Sequence, residues 1–229
     1  YYLRVKTVDY ALNESPEVTL FTFKKDTLIS GAKANTDNAQ LILSPATVTA
    51  KIDGGFYAEQ ADRTAGIKII SGESVEVGDV VSVIGSTGTD ANTERQITAS
   101  SVSVGGTNTI DPFVMTNKAI GGGDWNYNAG TGAGQKGVID GVGANNIGLL
   151  VRTSGAVAAV APGYFIINDG SNARGGSIVN GVKVSCPGLV KPTIGQNVMV
   201  TGISTFDNVV GNLYRCVLVT SQDQITVNP

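Results

Sequence analysis

The sequence predicts an all-β fold in which two similar five-stranded units follow one another. Three observations carry that expectation. The chain of 229 residues holds 30 Gly and only 15% charged residues; Gly and Asn suit turns, while the abundant Val and Thr suit pleated, half-buried surface. Six Glu and ten Lys are too few for long amphipathic helices, whose exposed faces are built from such residues. The third observation is an internal repeat.

The repeat keeps its order along the chain. Leu41–Tyr57 resembles Leu150–Phe165, and Gly66-Ile-Lys-Ile-Ile70 matches Gly181-Val-Lys-Val-Ser185. Val77-Gly-Asp-Val-Val-Ser-Val-Ile-Gly85 then matches Ile194-Gly-Gln-Asn-Val-Met-Val-Thr-Gly202, and Glu94–Val104 parallels Tyr214–Val227. The offset grows smoothly, from about 109 to about 120 residues, as short loop insertions would make it.

Each element has its own signal. Residues 1–40 have no counterpart in the second unit and predict a β extension. In it, Leu3, Val5 and Val8 belong to one strand, and Val18, Leu20, Phe21 and Phe23 to a second, with Asn13-Glu-Ser-Pro16 between them. The first unit, 41–104, opens with a long strand that runs into Gly55-Phe-Tyr57; three shorter strands with period-two alternation follow. Residues 105–147 contain Gly121-Gly-Gly123 and Gly130-Thr-Gly-Ala-Gly134 around Trp125 and Tyr127, too long for a simple connector and read as a packed loop. The second unit, 148–229, repeats the strand pattern of the first.

The order of these segments, with Gly-Phe-Tyr and Val-Gly-Asp-Val-Val as its most specific parts, resembles the OB-like domains of exported bacterial proteins of unassigned function. The resemblance covers about residues 41–104 and 148–227. It implies tandem five-stranded Greek-key barrels, with no catalytic residue carried over. One departure is visible: Ser71 to Val77 is too short for the helix that often lies between the third and fourth strands.

Composition narrows the function. The net charge is −3 and the 16 basic residues are scattered, which disfavours nucleic acid as a partner. The absence of His removes the usual general base and zinc ligand. No apolar run reaches the roughly 20 residues of a membrane-spanning helix. The glycine clusters lack the strand, helix and Lys-Ser or Lys-Thr of a phosphate loop. Turn aspartates (Asp62, Asp79, Asp111, Asp124, Asp140 and Asp169) form no calcium-loop pattern. No cofactor, metal ligand set or catalytic residue is assigned, and the chain is read as non-enzymatic. It opens at Tyr1 rather than Met and is read as a mature or trimmed product, placed outside the cell or on its surface.

Three sets of residues remain as candidates. Cys186 and Cys216 fall on the third and fifth strands of the second unit, neighbours in an OB arrangement, and are expected to form a disulfide. Phe56, Tyr57, Tyr164 and Phe165 lie on the second strands. One aromatic of each pair is expected in the core, leaving the other as a stacking platform for glycan or single-stranded nucleic acid, flanked by Arg63, Lys68, Arg174 and Lys183. The N-terminal strands either cover their own barrel or add to the sheet of another copy. In the latter case the chain is a filament or surface-assembly subunit whose partners are copies of itself.

Overall fold

The computed structural model describes residues 2–22, 26–176 and 179–228. They are all-β. Strands β1 (Tyr2–Val5) and β2 (Val18–Thr22) make one antiparallel pair. The first unit follows: β3 (Asp26–Thr27), the short helix α1 (Ile29–Ala34), β4 (Gln40–Ile52), β5 (Gly55–Gln60), β6 (Gly66–Ile70), β7 (Asp79–Thr89) and β8 (Arg95–Thr107). The intervening segment holds β9 (Phe113–Val114) and a small hairpin of β10 (Trp125–Asn128) with β11 (Ala133–Gln135). The second unit comprises β12 (Leu150–Ala161), β13 (Tyr164–Asn168), β14 (Val182–Ser185), β15 (Asn197–Val209), β16 (Asn212–Leu218) and β17 (Ile225–Asn228).

The first sheet runs β3-β4-β5-β6-β8-β7, and β7 also pairs with β4. The second runs β17-β15-β16-β14-β13-β12-β9, and β15 also pairs with β12. In each, the third and fifth strands of the repeat (β6 with β8, β14 with β16) are parallel neighbours. The expectation of plain five-stranded barrels needs correction: the sheets hold six and seven strands. The additions are short strands that take up edge hydrogen bonds: β3 and β9 lie outside the repeat, while β17 covers the stretch expected to continue the fifth strand and pairs with β15 instead.

Local sequence explains the irregularities. Pro45 has no N–H to give to a ladder, and the β4–β7 register breaks between Leu43 and Ala46. β4 continues through the break as one element. Each unit has its own core. Leu41, Leu43, Val48, Phe56, Ile67, Ile69, Val83 and Ile97 fill the first. Val151, Phe165, Ile167, Val184, Val198, Val200 and Val217 fill the second. Burying each such side chain contributes about 1.5–3 kcal/mol.

The units meet over a third, smaller cluster of Ala50, Tyr57 and Ile203, packed against Ile52, Leu150 and Leu218. There Gly66 and Gly148 touch main chain to main chain. A Cβ on Gly66 would lie 2.1 Å from Gly148 O, and one on Gly148 would lie 2.4 Å from Gly66 O. The buried Lys33 ammonium spans this contact, donating to Gly66 O at 3.2 Å and Ile147 O at 2.8 Å. No helix among the described residues is long and apolar enough to cross a membrane.

Candidate functional site

The N-terminal pair is one continuous ribbon. Its register couples Leu3 to Phe21 and Val5 to Val18, and a bridge at Val8–Glu14 extends it. The Asp9 carboxylate closes the tip, accepting from the N–H groups of Ala11 (2.8 Å) and Asn13 (2.9 Å) and from Asn13 Nδ2 (3.0 Å). These donors, the Asn13 side chain foremost, hold the Asp9 carboxyl below its usual range. Lys6–Glu14 (2.6 Å) and Arg4–Glu17 (3.5 Å) cross the ribbon. Among the described residues, β1 and β2 pair with each other and with no further strand. Val5, Val8, Tyr10, Leu12 and Val18 are exposed; Tyr10 and Leu12 at the tip are the extreme cases, at 110% and 81%. The predicted strand residue Phe23 lies outside the described residues.

The aromatic residues do not form a face. Phe56 and Phe165 are wholly buried, each in the core of its unit. The β5–β6 register sets Phe56 opposite Ile69, and the β13–β14 register sets Phe165 opposite Val184. Phe56 therefore corresponds to Phe165, and Tyr57 to Ile166, one residue away from the match that the aromatic pairs suggest by eye. Tyr57, 3% exposed, belongs to the junction between units. Tyr164 is half-buried, with Lys183 Nζ 4.7 Å from its ring centre. Arg174 lies at the surface beside Asp140 (3.2 Å).

The disulfide expectation fails: Cys186 and Cys216 are free, buried thiols. The strands are indeed neighbours, but the side chains leave opposite faces. Val184 pairs with Val217, and Lys183 with Cys216. Val184, Cys186, Val217 and Val219 point into the core of the second unit, so the intervening Lys183 and Cys216 point away from it. Burial pushes the Cys186 thiol up and the Cys216 thiol up to about 12.

What the sequence reading missed is a buried polar joint between the units. Glu94 accepts from the Tyr57 hydroxyl (3.0 and 3.1 Å) and, across the junction, from Thr205 Oγ1 (3.2 Å). Lys68, which contacts Asp90, stands 3.7 Å from Glu94. Glu59 accepts from Leu150 N–H of the second unit at 2.9 Å, and its other oxygen lies 3.5 Å from Arg63 Nε. Arg63 is laid 3.8 Å over the Phe113 ring. Desolvation raises the Glu94 carboxyl, takes Glu59 up to about 7 and brings Lys33 down to about 8. Tyr57, Glu59 and Glu94 are buried, and the cluster joins the two halves of the molecule.

Two arginines related by the repeat repay comparison. Arg215, 1% exposed, donates to the carbonyls of Lys118 (3.1 Å), Ile139 (2.9 Å) and Asp140 (2.6 Å), clamping the intervening segment onto the second unit. Its counterpart Arg95, 2% exposed, binds Asp37, Thr89 Oγ1 (2.8 Å) and Asn35 O (2.7 Å). The turn aspartates are engaged by neighbouring groups: Asp62 with Thr64, Asp79 with Glu76, Asp124 with Gly137 and Asp169 with Asn117. No group of three metal-ligating side chains occurs among the described residues. Compared with known protein families, with curated proteins and with solved structures, the chain matches none.

Proposed function

We propose that this chain is a non-enzymatic structural subunit of an extracellular or cell-surface assembly, made of two OB-like barrels and joined to neighbouring copies through the N-terminal ribbon. The OB-like reading is supported by the strand order, in which the first strand of each repeat pairs with both the second and the fourth, and the third lies parallel to the fifth.

The observation that carries the functional reading is the ribbon itself. A two-stranded ribbon is marginally stable alone in water, yet this one pairs with no other described strand and exposes Val5, Val8, Tyr10, Leu12 and Val18. Its two outer edges are templates for strand addition. Copies joined head to tail by such a contact form an open fibre where the rotation between neighbours does not close into a ring. The polar joint supports a structural role, because hydrogen bonds from Leu150 and Thr205 to Glu59 and Glu94 tie the two units together.

Mass photometry across a wide concentration range, with negative-stain microscopy of the same samples, tests this reading. Concentration-dependent oligomers or fibres are expected, and Val5→Lys with Val18→Lys should reduce them to single copies. A chain that stays monomeric at every concentration overturns the reading.

A further inference from the structure

We infer that the polar cavity at the end of the first unit, bounded by Asp37, Thr89, Thr93, Arg95, Tyr127 and the loop at 129–132, is a binding site for a neutral saccharide. The inference is independent of the assembly proposed above. The cavity encloses about 420 Å³, within the range of about 300–1,000 Å³ typical of small-molecule sites.

Four features point to a ligand. The first is a polar wall with unpaired atoms just behind its surface: Thr93 Oγ1 and Arg95 Nε, both sealed from solvent, have no partner. Buried polar atoms are nearly always paired, and an orphaned one asks for an explanation. The second is the contrast with the repeat-related Arg215. In the second unit the chain itself supplies three carbonyls to that guanidinium. In the first unit the chain supplies Asn35 O, Thr89 Oγ1 and the Asp37 carboxylate, and open space remains beside them.

The third feature is backbone strain. Thr93, a β-branched residue, is held at φ +78°, a conformation such residues rarely adopt and one that persists where the surroundings enforce it. The turn enforces it through Thr93 N–H on Asp90 O (2.9 Å) and Asp90 Oδ1, which accepts from Asn92 and Glu94 N–H. The fourth is the wall opposite. Gly132, at φ +70°, brings the loop so close that a Cβ there would sit 2.5 Å from Asp37 Oδ2. The 37% exposed Tyr127 projects from the same hairpin.

These groups specify the ligand's chemistry. Asp37 and the buried Arg95 form an ion pair, so the site presents the part-exposed Asp37 carboxylate as a strong acceptor at little net charge. A neutral sugar hydroxyl donates to such a carboxylate without bringing a charge of its own. An anionic ligand meets the Asp37 carboxylate, and an apolar one strands the polar wall. The Tyr127 ring supplies an apolar surface for the C–H face of a pyranose.

Saturation-transfer NMR on the full chain tests the assignment, with a panel of glucose, galactose, mannose, xylose, N-acetylglucosamine, cellobiose, maltose and hyaluronan tetrasaccharide. Transfer to at least one neutral sugar is expected. Tyr127→Ala should weaken that affinity at least tenfold and Thr93→Ser less than threefold, both with unchanged thermal unfolding; Tyr164→Ala should leave it unaltered. No transfer to any neutral sugar, transfer to the acidic tetrasaccharide alone, or affinity indifferent to Tyr127→Ala would each overturn it.

Discussion

The Glu59 carboxylate of the first unit takes a hydrogen bond from the Leu150 N–H of the second, 2.9 Å away and out of contact with water. Burial raises its pKa to about 7, so the charged form disfavours the folded state. The unfolded chain releases this proton near pH 4.5, which fixes the sign. The stability is fully present below that pH and is lost as pH rises through about 7. Glu94, raised by the same cause, acts in the same direction. With no His in the chain, no imidazole titrates in that window. The urea midpoint should therefore rise on going from pH 7.5 to pH 5, with roughly 2 kcal/mol of added stability from Glu59. Glu59→Gln should flatten that slope; a midpoint that falls on acidification over this range contradicts the account.

The Gly66–Gly148 contact admits no side chain on either partner. Gly66→Ala should cost roughly 2–4 kcal/mol through main-chain displacement. Gly148→Ala adds strain to the same clash, since φ there is +93°. Gly72, with open space around it, is the control and should change unfolding by less than about 0.5 kcal/mol when replaced by Ala. Chemical denaturation of the three variants decides.

Arg215→Met removes the donors for Lys118 O, Ile139 O and Asp140 O together. A loss of roughly 3–5 kcal/mol follows from three stranded carbonyls and the lost charge-assisted bonds. Hydrogen exchange should locate the damage: amides in 118–140 lose protection, while those of β4–β8 keep it.

Native protein should react with a thiol reagent such as DTNB at neither Cys186 nor Cys216, and at both after unfolding. Reducing agent should leave the thermal midpoint where it is. A mass two protons lower than the reduced chain under mild oxidant would contradict the opposite-face geometry.

The strands were readable because they obey local rules. Alternation in Val198–Val200–Gly202 and in Leu41–Leu43 depends only on which side of a pleat faces a core, and the observed β15 and β4 follow it. The aromatic site was not readable, because the two-face logic assumes that one face of a strand is wet. β5 is buried on both: Phe56 and Ala58 face the core of the first unit, while Tyr57 faces the other unit. Whether a strand meets solvent or a neighbour is a long-range property, and local sequence does not encode it.

The charged residues of the joint were hidden for the same reason. Lys33, Glu59 and Glu94 look like ordinary surface positions until 3D contacts bury them. The sequence does carry one signal for buried charge: the repeat aligns Arg95 with Arg215, in a chain where only 16 residues are basic. The cysteine error has a simpler cause. Cys186 and Cys216 sit on adjacent strands, but the alternation along each strand sends them to opposite faces.

The clamp at Arg215 has a consequence for cutting the molecule apart. Sequence similarity alone would place the start of a second-unit fragment near residue 148, where the repeat resumes. Such a fragment would carry a guanidinium in its interior with its three carbonyls missing, and β12 would lose its parallel partner at Phe113–Val114. The excisable piece begins ahead of Phe113, with the glycine-rich stretch retained as its own plug.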